Sequence, residues 1–252
     1  MVMKKSKTRL FVEKEISQNL MIYIKGKQLH FLKNVLRVKL DDIITIFDGI
    51  SGEWHANIIS LSKEKIAVKV LKNIRKFESQ PDIWLIFAPI KLFRLNITIQ
   101  KAVELGVSKL VPCKTEYSNF EKLNYNNLEL NAIEASQQCE RLDVPKIEKI
   151  INLESLLNDF PSDRALVFCD ESDSTLPSIY EGVKSKVSIY SKWAVIIGPE
   201  GGFSDKEKQQ LIKEKNVLRV TLGKRILRSD TAAISSLFCI QSLVDKRQPV
   251  LK

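Results

Sequence analysis

The 252-residue chain contains little glycine, histidine or cysteine, and each shortage narrows what the protein can do. Its four cysteines, Cys113, Cys139, Cys169 and Cys239, are far apart and form no C-x-x-C pair. This is typical of reduced, largely buried thiols in a cytoplasmic protein. With two histidines and no H-E-x-x-H motif, the sequence does not predict a metal site built by the protein. A Ser-His-Asp hydrolase is disfavoured as well, since no G-x-S-x-G motif occurs.

Long apolar stretches are also missing. No window approaches the ~18 consecutive apolar residues of a membrane-spanning helix. Residues 1–9 are basic but lack the apolar core and the small-residue cleavage site of a secretory signal. A hydrophobic content of 44% is ordinary for a globular protein and too high for a disordered one. We therefore expect a cytoplasmic globular protein with no membrane partner and no bound metal.

The charge of the chain is unevenly distributed. Lysine and arginine number 40 against 30 acidic residues, a formal net charge of +10. Residues 1–75 hold 15 basic and 7 acidic side chains, whereas the other 177 residues hold 25 and 23. The excess in the first part favours a polyanionic partner, either nucleic acid or an acidic membrane surface. A lysine-rich solvated face is the alternative that the charge alone leaves open.

The first part of the chain has the pattern of a small β domain. Short stretches predict strands at 9–12, 43–47, 54–61 and 66–71. The stretch at 43–47 is rich in β-branched residues, and the last two strands are predicted to form a hairpin. Residues 30–38 are predicted as one helix, with an apolar stripe made of Phe31, Leu32, Val35 and Leu36. Lys33 and Arg37, four residues apart, would share another face of that helix. Several short strands with one helix indicate a compact barrel.

A polar stretch ending at Pro81 separates this pattern from one of alternating strands and helices, so we expect domains at 1–75 and 76–252. Short apolar runs predict strands at 83–88, 109–111, 165–168, 194–197 and 218–222. Several of these runs are continuously apolar, as expected of strands that are buried on both faces of a sheet. Helical patterns lie at 94–105, closed by Gly106, and at 126–141, 206–215 and 231–244. The alternation indicates an α/β domain with a mostly parallel sheet.

Three of the nine glycines fall in one segment, Gly198-Pro199-Glu200-Gly201-Gly202. It follows a buried strand and precedes a capping box that begins at Ser204. Open α/β sheets bind ligands at the carboxyl ends of their strands, and glycines let the backbone approach a ligand closely. A tight turn before a capped helix is the alternative. The segment is neither G-x-G-x-x-G nor a P-loop, so a dinucleotide or triphosphate site is not predicted.

A second polar cluster lies at a later junction of strand and helix, from Leu222 to Ala232. Gly223 turns the chain, and Ser229 or Asp230 can cap the helix that follows. Three cations and one carboxylate are concentrated here. Taken alone, this cluster could instead be an exposed basic loop with no binding function. Two polar loops that each close a strand of one sheet, however, indicate a shared site.

The strings Ile197–Ser204 and Leu222–Ala232 resemble the signature motifs of the RsmE family, the bacterial 16S ribosomal RNA uracil-N3 methyltransferases of the SPOUT superfamily. Further similar segments, which extend the resemblance over nearly the whole chain, are 35–37, 47–49, 100–107, 138–141 and 144–145. The resemblance implies an α/β protein with an N-terminal PUA-like RNA-binding β-barrel, residues 1–75. A SPOUT methyltransferase domain with a deep trefoil knot, residues 76–252, would follow, and the protein would act as a homodimer.

The resemblance also implies S-adenosylmethionine as methyl donor, held in a bent shape by the two loops. The partner would be 16S ribosomal RNA or the assembled small ribosomal subunit. Cofactor binding is assigned in this way to Ile197, Gly198, Glu200, Gly201, Leu222, Gly223, Ile226, Leu227, Ser229, Thr231 and Ala232. Ile226 and Leu227 would sandwich the adenine.

Methyl transfer to uracil N3 requires loss of a weakly acidic N–H proton and in-line attack on a sulfonium methyl group. A positioned base, and a cation beside the developing uracil anion, would lower that barrier. Arg228 is the candidate cation, and Asp230 or Glu200 is the candidate base, with a structural role as the alternative for either. The candidate RNA contacts are Arg9, Lys33 and Arg37, for which ordinary surface charge is the alternative.

The sequence departs from the family pattern in three places. The segment around Leu92 lacks the glycine and the acidic residue expected before the first helix of the second domain. Glu140 occupies a position that is usually glycine, in the helix predicted at 126–141, and Asp230 stands where many relatives have glutamate. Two other functions remain open. One is a non-catalytic RNA-binding or ribosome-assembly factor, and the other is a superfamily enzyme that modifies a ribose 2′-hydroxyl or a transfer RNA.

Overall fold

The computed structural model describes residues 5–118, 122–173 and 175–245. They form two compact units. The first contains the described residues up to Ser79 together with Ser136–Val144, and the second contains Gln80–Ala135 and the residues from Pro145 onwards. Residues 136–144 lie within the predicted second domain by sequence and belong to the first unit.

Short runs rich in β-branched residues form a five-stranded sheet in the first unit. Its strands are β1 (Arg9–Phe11), β2 (Met21–Ile24), β3 (Ile43–Phe47), β4 (Glu53–Leu61) and β5 (Ile66–Arg75). The order across the sheet is β1-β3-β4-β5-β2, with β1 and β3 parallel and the other pairs antiparallel. An aliphatic core that includes Leu10, Ile44 and Ile58 packs within the unit. The predicted strands and hairpin are confirmed, and β2 is an additional strand.

The helix predicted over residues 30–38 is wrong in its bounds and its geometry. The structure has a short helix, α1 (Gly26–His30), that continues into a π-helical turn over Phe31–Val35. In this turn Leu36 N donates to the carbonyl of Phe31, five residues earlier. The 3.6-residue period therefore no longer decides which side chains face the core.

This change of geometry separates side chains that the sequence placed together. Arg37 lies beyond the π-helical turn with φ +50°, so it does not share a helical face with Lys33. Of the predicted apolar stripe only Leu32 is fully buried, and Val35 is 61% exposed.

The second unit contains a parallel sheet. Its described strands are β6 (Asp82–Phe87), β7 (Lys109–Lys114), β8 (Lys146–Ile147), β9 (Ile151–Asn152), β10 (Arg164–Cys169), β11 (Lys192–Ile197) and β12 (Val217–Val220). The order is β12-β10-β11-β6-β7-β8, with β9 also paired to β7. Most side chains of β6, β10 and β11 are buried, as predicted for strands covered on both faces. Because β10 lies between β11 and β12, the carboxyl ends of these three strands meet at one edge.

Helices connect these strands. They are α2 (Leu92–Glu104), α3 (Tyr125–Gln138), α4 (Leu153–Asn158), α5 (Ile179–Lys184), α6 (Asp205–Lys213) and α7 (Ser229–Val244). Gly106 ends α2 with φ +80°, as predicted, and α2 packs against α7. The capping box predicted at Ser204 is present, since its hydroxyl and the Glu207 carboxylate satisfy each other's backbone N–H groups. α4 and α5 are short helices that the sequence pattern did not predict.

The end of α3 differs from the prediction. The helix stops at Gln138 instead of residue 141, and Glu140 lies outside it with φ +60°. Glycine adopts this left-handed conformation without strain, whereas a side chain adds a steric cost. The Glu140 carbonyl accepts a hydrogen bond from Arg75, which satisfies one backbone acceptor close to the helix end.

Arg9 holds the last turn of α3 and the segment that follows it. Its guanidinium forms an ion pair with Glu53 and donates to the carbonyls of Ser136, at 2.9 Å, and Arg141, at 2.6 Å. It also lies 3.8 Å from the centre of the Phe47 ring. Burial lowers the pKa of the Arg9 guanidinium, and the side chain is only 11% exposed. Arg9 therefore has a structural role in this unit, whereas the sequence predicted it as an RNA contact.

The cysteines are free thiols, and their burial is uneven. Cys113 is buried, whereas Cys139 is exposed, so the prediction of largely buried thiols is wrong for Cys139. Burial raises the pKa of Cys113 and of Cys169 to about 12. These two thiols therefore stay protonated at neutral pH.

Candidate active site

A pocket lies at the carboxyl ends of β10 and β11, beside the residues that lead from β12 into α7. Its walls combine apolar side chains with the backbone of the first glycine loop, Gly198–Gly202. The lining residues are Phe168, Cys169, Asp170, Glu171, Ile196, Ile197, Gly198, Pro199, Gly202, Phe203, Lys208, Leu227, Ser229 and Ala232. Ligand sites are commonly concave and mostly apolar with a few polar groups, so this pocket is the candidate site of the second unit.

The first glycine loop is shaped by Phe203. A Cβ on Gly198 would lie only 2.9 Å from the Phe203 ring, which packs edge-on against Phe168 with ring centres 5.5 Å apart. Gly198 is therefore required by close packing and not by its backbone angles. Gly202, by contrast, has φ +73° and turns the chain towards α6.

The second loop, Leu222–Arg228, brings the start of α7 against the first loop. Gly223 turns the chain with φ +108°. Ser229 Oγ donates a hydrogen bond to the Gly198 carbonyl at 2.9 Å, so the two loops meet directly. The predicted capping role of Ser229 or Asp230 is wrong, because the helix begins at Ser229 and its N-cap, Arg228, makes no side-chain capping hydrogen bond.

The predicted cofactor residues divide into two groups. Five of them line the pocket: Ile197, Gly198, Leu227, Ser229 and Ala232. The others lie on the same two loops or the first turn of α7 without lining it: Glu200, Gly201, Leu222, Gly223, Ile226 and Thr231. Ile226 and Leu227 were predicted to sandwich the adenine. In this structure Leu227 lines the pocket, whereas Ile226 does not and is 82% exposed.

The three candidate catalytic residues lie on the two loops and in the first turn of α7. Arg228 is exposed at the N-cap of α7. Glu200 is half exposed, and its carboxylate lies 3.7 Å from the guanidinium of Arg94 at the start of α2. Asp230 accepts a hydrogen bond from the backbone N–H of Thr231 at 2.9 Å. Arg94 was not among the sequence candidates.

The end of β10 forms a part of the pocket that was not predicted from the sequence. Asp170 is 2% exposed and is held by Ser172 and by Arg219, whose guanidinium lies 2.8 Å from its carboxylate. Burial would raise the pKa of Asp170, but these hydrogen bonds outweigh it and hold the pKa below its usual value. Glu171 follows as an exposed carboxylate at the pocket wall. The signal was available, because Asp170 and Glu171 come directly after a buried parallel strand.

The first unit carries the remaining RNA candidates. Lys33 is exposed, and its Nζ donates to the Ser62 carbonyl at 3.2 Å. Arg37 is exposed in the turn after the π-helical segment. Within 5–118, 122–173 and 175–245, no group of three His, Cys, Asp or Glu side chains is arranged to hold a metal ion. In the same residues, no helix combines the length and the apolar character needed to cross a membrane.

Comparisons with known proteins cover both units. A family model described as an RNA methyltransferase domain matches residues 78–241, and one described as an RNA methyltransferase PUA domain matches residues 24–71. Ribosomal RNA small subunit methyltransferase E of Rickettsia conorii is 31% identical over 93% of this chain and 95% of that protein. The corresponding protein of Buchnera aphidicola from Acyrthosiphon pisum is 32% identical, covering 93% of each chain.

A solved structure agrees with these matches. The crystal structure of a ribosomal RNA small subunit methyltransferase E from Neisseria gonorrhoeae, bound to S-adenosyl methionine, superposes with a TM-score of 0.83. It is 28% identical and covers 94% of this chain and 97% of that one. The parallel sheet, its loop-lined pocket and the matched domain define the chain as an RNA methyltransferase. Its relatives place it more narrowly, and the chain belongs to the ribosomal RNA small subunit methyltransferase E family, the RsmE family.

Proposed function

We propose that this protein methylates N3 of a uracil in 16S ribosomal RNA, with S-adenosylmethionine as methyl donor and 3-methyluridine as product. The observation that carries the proposal is the hydrogen bond from Ser229 Oγ to the Gly198 carbonyl. It joins the two motif loops of the family beside a pocket at the carboxyl ends of the parallel strands β10 and β11. In open α/β sheets this edge is where ligands bind.

The pocket wall offers contacts suited to an adenosine-containing cofactor. Gly198 and Gly202 leave backbone uncovered by side chains at the wall, and Leu227 offers apolar surface for a flat ring. Close packing of Gly198 on Phe203 keeps the first loop near the pocket. When bound, S-adenosylmethionine supplies an electrophilic methyl group on its sulfonium sulfur.

The polar residues on the loops supply the remaining chemistry. Arg228, exposed at the N-terminus of α7, is proposed to stabilise the negative charge that develops on the uracil. Glu200 on the first loop, or Asp230 in the first turn of α7, is proposed to accept the N3 proton. The target base must leave its stack before these groups can reach its N3 edge.

The first unit is proposed to bind the RNA. We assign residues 1–75 to a PUA-like barrel and residues 76–252 to a knotted SPOUT methyltransferase domain. The five-stranded sheet, the match to a PUA model and the basic excess of residues 1–75 support the first assignment. The proposed phosphate contacts are Lys33 and Arg37, with 16S ribosomal RNA or the assembled small subunit as partner.

A homodimer is proposed as well. α2 and α7 pack together and carry large apolar side chains that remain exposed in the single chain. Leu92 is 58% exposed, Phe93 77% and Phe238 61%. Exposed apolar surface of this kind is typical of a protein–protein interface, and a second copy of the chain is the proposed occupant.

Replacing Ser229 by alanine tests the joint between the two loops. The variant loses one hydrogen bond to the Gly198 carbonyl, so we expect S-adenosylmethionine affinity to fall by about 2- to 10-fold. Calorimetric titration measures the affinity. Ser188→Ala, which changes an exposed serine outside both loops and outside α2 and α7, is the matched control and should bind like the wild type. Equal affinity of Ser229→Ala and wild type would contradict a cofactor role for this joint.

Replacing Lys33 by alanine tests the RNA surface of the first unit. Loss of one phosphate contact should weaken RNA binding and reduce the slope of log K against log salt by about 1. Fluorescence anisotropy with a small-subunit RNA fragment at several salt concentrations measures both. Lys186→Ala removes an exposed lysine of the second unit and should change neither. An unchanged salt slope in Lys33→Ala would remove Lys33 from the RNA contacts.

Calorimetry with the wild-type protein separates the proposed enzyme from a non-catalytic RNA-binding factor. Titration with S-adenosylmethionine should give a measurable heat of binding. We expect a stoichiometry of one cofactor per chain, because each chain contains both motif loops. Absence of binding under several buffer and temperature conditions would favour the non-catalytic factor.

A further inference from the structure

Tyr117 is a half-exposed aromatic residue beside the first glycine loop. It lies in the turn that follows β7, and its side chain is 50% exposed. A Cβ built on Gly201 would lie 3.1 Å from the Tyr117 Cβ and 3.6 Å from its Cγ. The missing side chain of Gly201 therefore lets the loop approach the tyrosine closely.

The turn that carries Tyr117 is firmly held. Ser118 Oγ is hydrogen bonded to both the backbone N–H and the hydroxyl of Thr115, at 2.9 and 2.8 Å. The backbone N–H of Glu116 donates to the Glu207 carboxylate at 2.8 Å. Glu207 is 8% exposed and belongs to the capping box that starts α6. The backbone on both sides of Tyr117 is thus fixed while its ring remains accessible.

Charged groups lie next to the same loop. Glu200, immediately before Gly201, forms the ion pair with Arg94 described above, and both side chains are partly exposed. Gly198 and Gly202 of this loop line the proposed cofactor pocket. The first glycine loop therefore lines the pocket through Gly198 and Gly202. Through Glu200 and Gly201, the same loop also lies beside Arg94 and Tyr117.

We propose that Tyr117 is the surface on which the target uracil stacks during methyl transfer. The inference rests on the proposed function. A base that leaves its stack loses the contacts of both neighbours, and an aromatic side chain restores one of them. Stacking uses only the face of the uracil ring, so its N3 edge stays free for the base and the cation. The occupant is an unpaired pyrimidine of RNA, because an acceptor base must lie beside the loop that holds the methyl donor.

Methylation kinetics of Tyr117 variants test this role. Small ribosomal subunits from a strain that lacks the enzyme serve as substrate, at saturating S-adenosylmethionine. Tyr117→Ala should lower kcat/KM by about 5- to 100-fold, since stacking on the ring is lost. The alanine keeps the Cβ that packs on Gly201, so the loop is not disturbed. Tyr117→Phe keeps the ring and should retain kcat/KM near the wild-type value.

Tyr180→Ala is the matched control. Tyr180 lies on α5 and is 49% exposed, almost as much as Tyr117, so its loss should leave kcat/KM unchanged. Calorimetry should show the same S-adenosylmethionine affinity for all variants. Wild-type kcat/KM in Tyr117→Ala, or equal losses in Tyr117→Ala and Tyr117→Phe, would overturn the stacking role. Absence of methylation by the wild type would overturn the proposed function and the stacking role together.

Discussion

Alanine in place of Arg228 is expected to lower the rate of methyl transfer by about 10²- to 10³-fold, the usual cost of removing one group that stabilises a developing anion. Removal of the N3 proton leaves negative charge on the uracil, and Arg228 is an exposed cation at the N-terminus of α7, one residue before the joint with the first loop. Its side chain does not cap the helix, so the variant should fold normally. Single-turnover kinetics with small ribosomal subunits measure the effect.

Arg225 provides the control for this prediction. It lies three residues earlier in the same loop, is also exposed and carries the same charge. Arg225→Ala should lower the single-turnover rate of methyl transfer much less than Arg228→Ala does. Both variants should bind S-adenosylmethionine with the wild-type affinity. Methylation by Arg228→Ala at the wild-type rate would show that the cation is supplied by another residue.

Methionine in place of Arg9 should destabilise the first unit by about 3–5 kcal/mol, the range observed when one partner of a buried ion pair is removed. Glu53 would lose the closest of its two cations while its side chain stays only 12% exposed. The carbonyls of Ser136 and Arg141 would also lose their donors from Arg9. Methionine retains apolar bulk over the Phe47 ring. The loss of stability in Arg9→Met therefore results mainly from removal of the charge and its hydrogen bonds.

Urea unfolding of the full chain measures this stability change. Lys7→Met is the matched control, because Lys7 is an exposed cation two residues from Arg9 in the same unit. Arg9→Lys keeps the charge but not the planar fork of donors, and it should give an intermediate value. Equal unfolding midpoints for Arg9→Met and Lys7→Met would contradict the structural role assigned to Arg9.

Local patterns were sufficient to predict much of the fold. The runs that become β6, β10 and β11 are continuously apolar because most side chains of these strands are buried, as expected of a parallel sheet covered on both faces. The capping box at Ser204 was visible from its spacing alone. The π-helical turn at Phe31–Val35 was not predictable, since a residue count based on 3.6 per turn gives no warning of an i→i+5 hydrogen bond.

Positions decided by distant contacts were the ones missed. Arg9 has the sequence context of a surface cation, yet its partners Ser136 and Arg141 are more than 100 residues away in the chain. The helical pattern also placed Glu140 inside α3, whereas the residue lies beyond the end of the helix. With φ +60°, this residue occupies a left-handed position that glycine tolerates better.

For the site, the two glycine loops could be predicted because strands of a parallel sheet end at a common edge. The contribution of β10 was missed although Asp170 and Glu171 directly follow a buried strand, because the position of β10 between β11 and β12 is set by packing and is seen only in the folded sheet. The direct hydrogen bond between Ser229 and Gly198 also depends on that order. The sequence therefore indicated which loops form the site, and the structure identified its third wall.

The identity of the methylated nucleoside tests the account most directly. Small ribosomal subunits from a strain that lacks the enzyme would be incubated with the purified protein and S-adenosylmethionine, and their RNA digested and analysed by mass spectrometry. The account predicts 3-methyluridine at a single position of 16S ribosomal RNA. A 2′-O-methylated nucleoside, or no methylated product with active subunits, would contradict it.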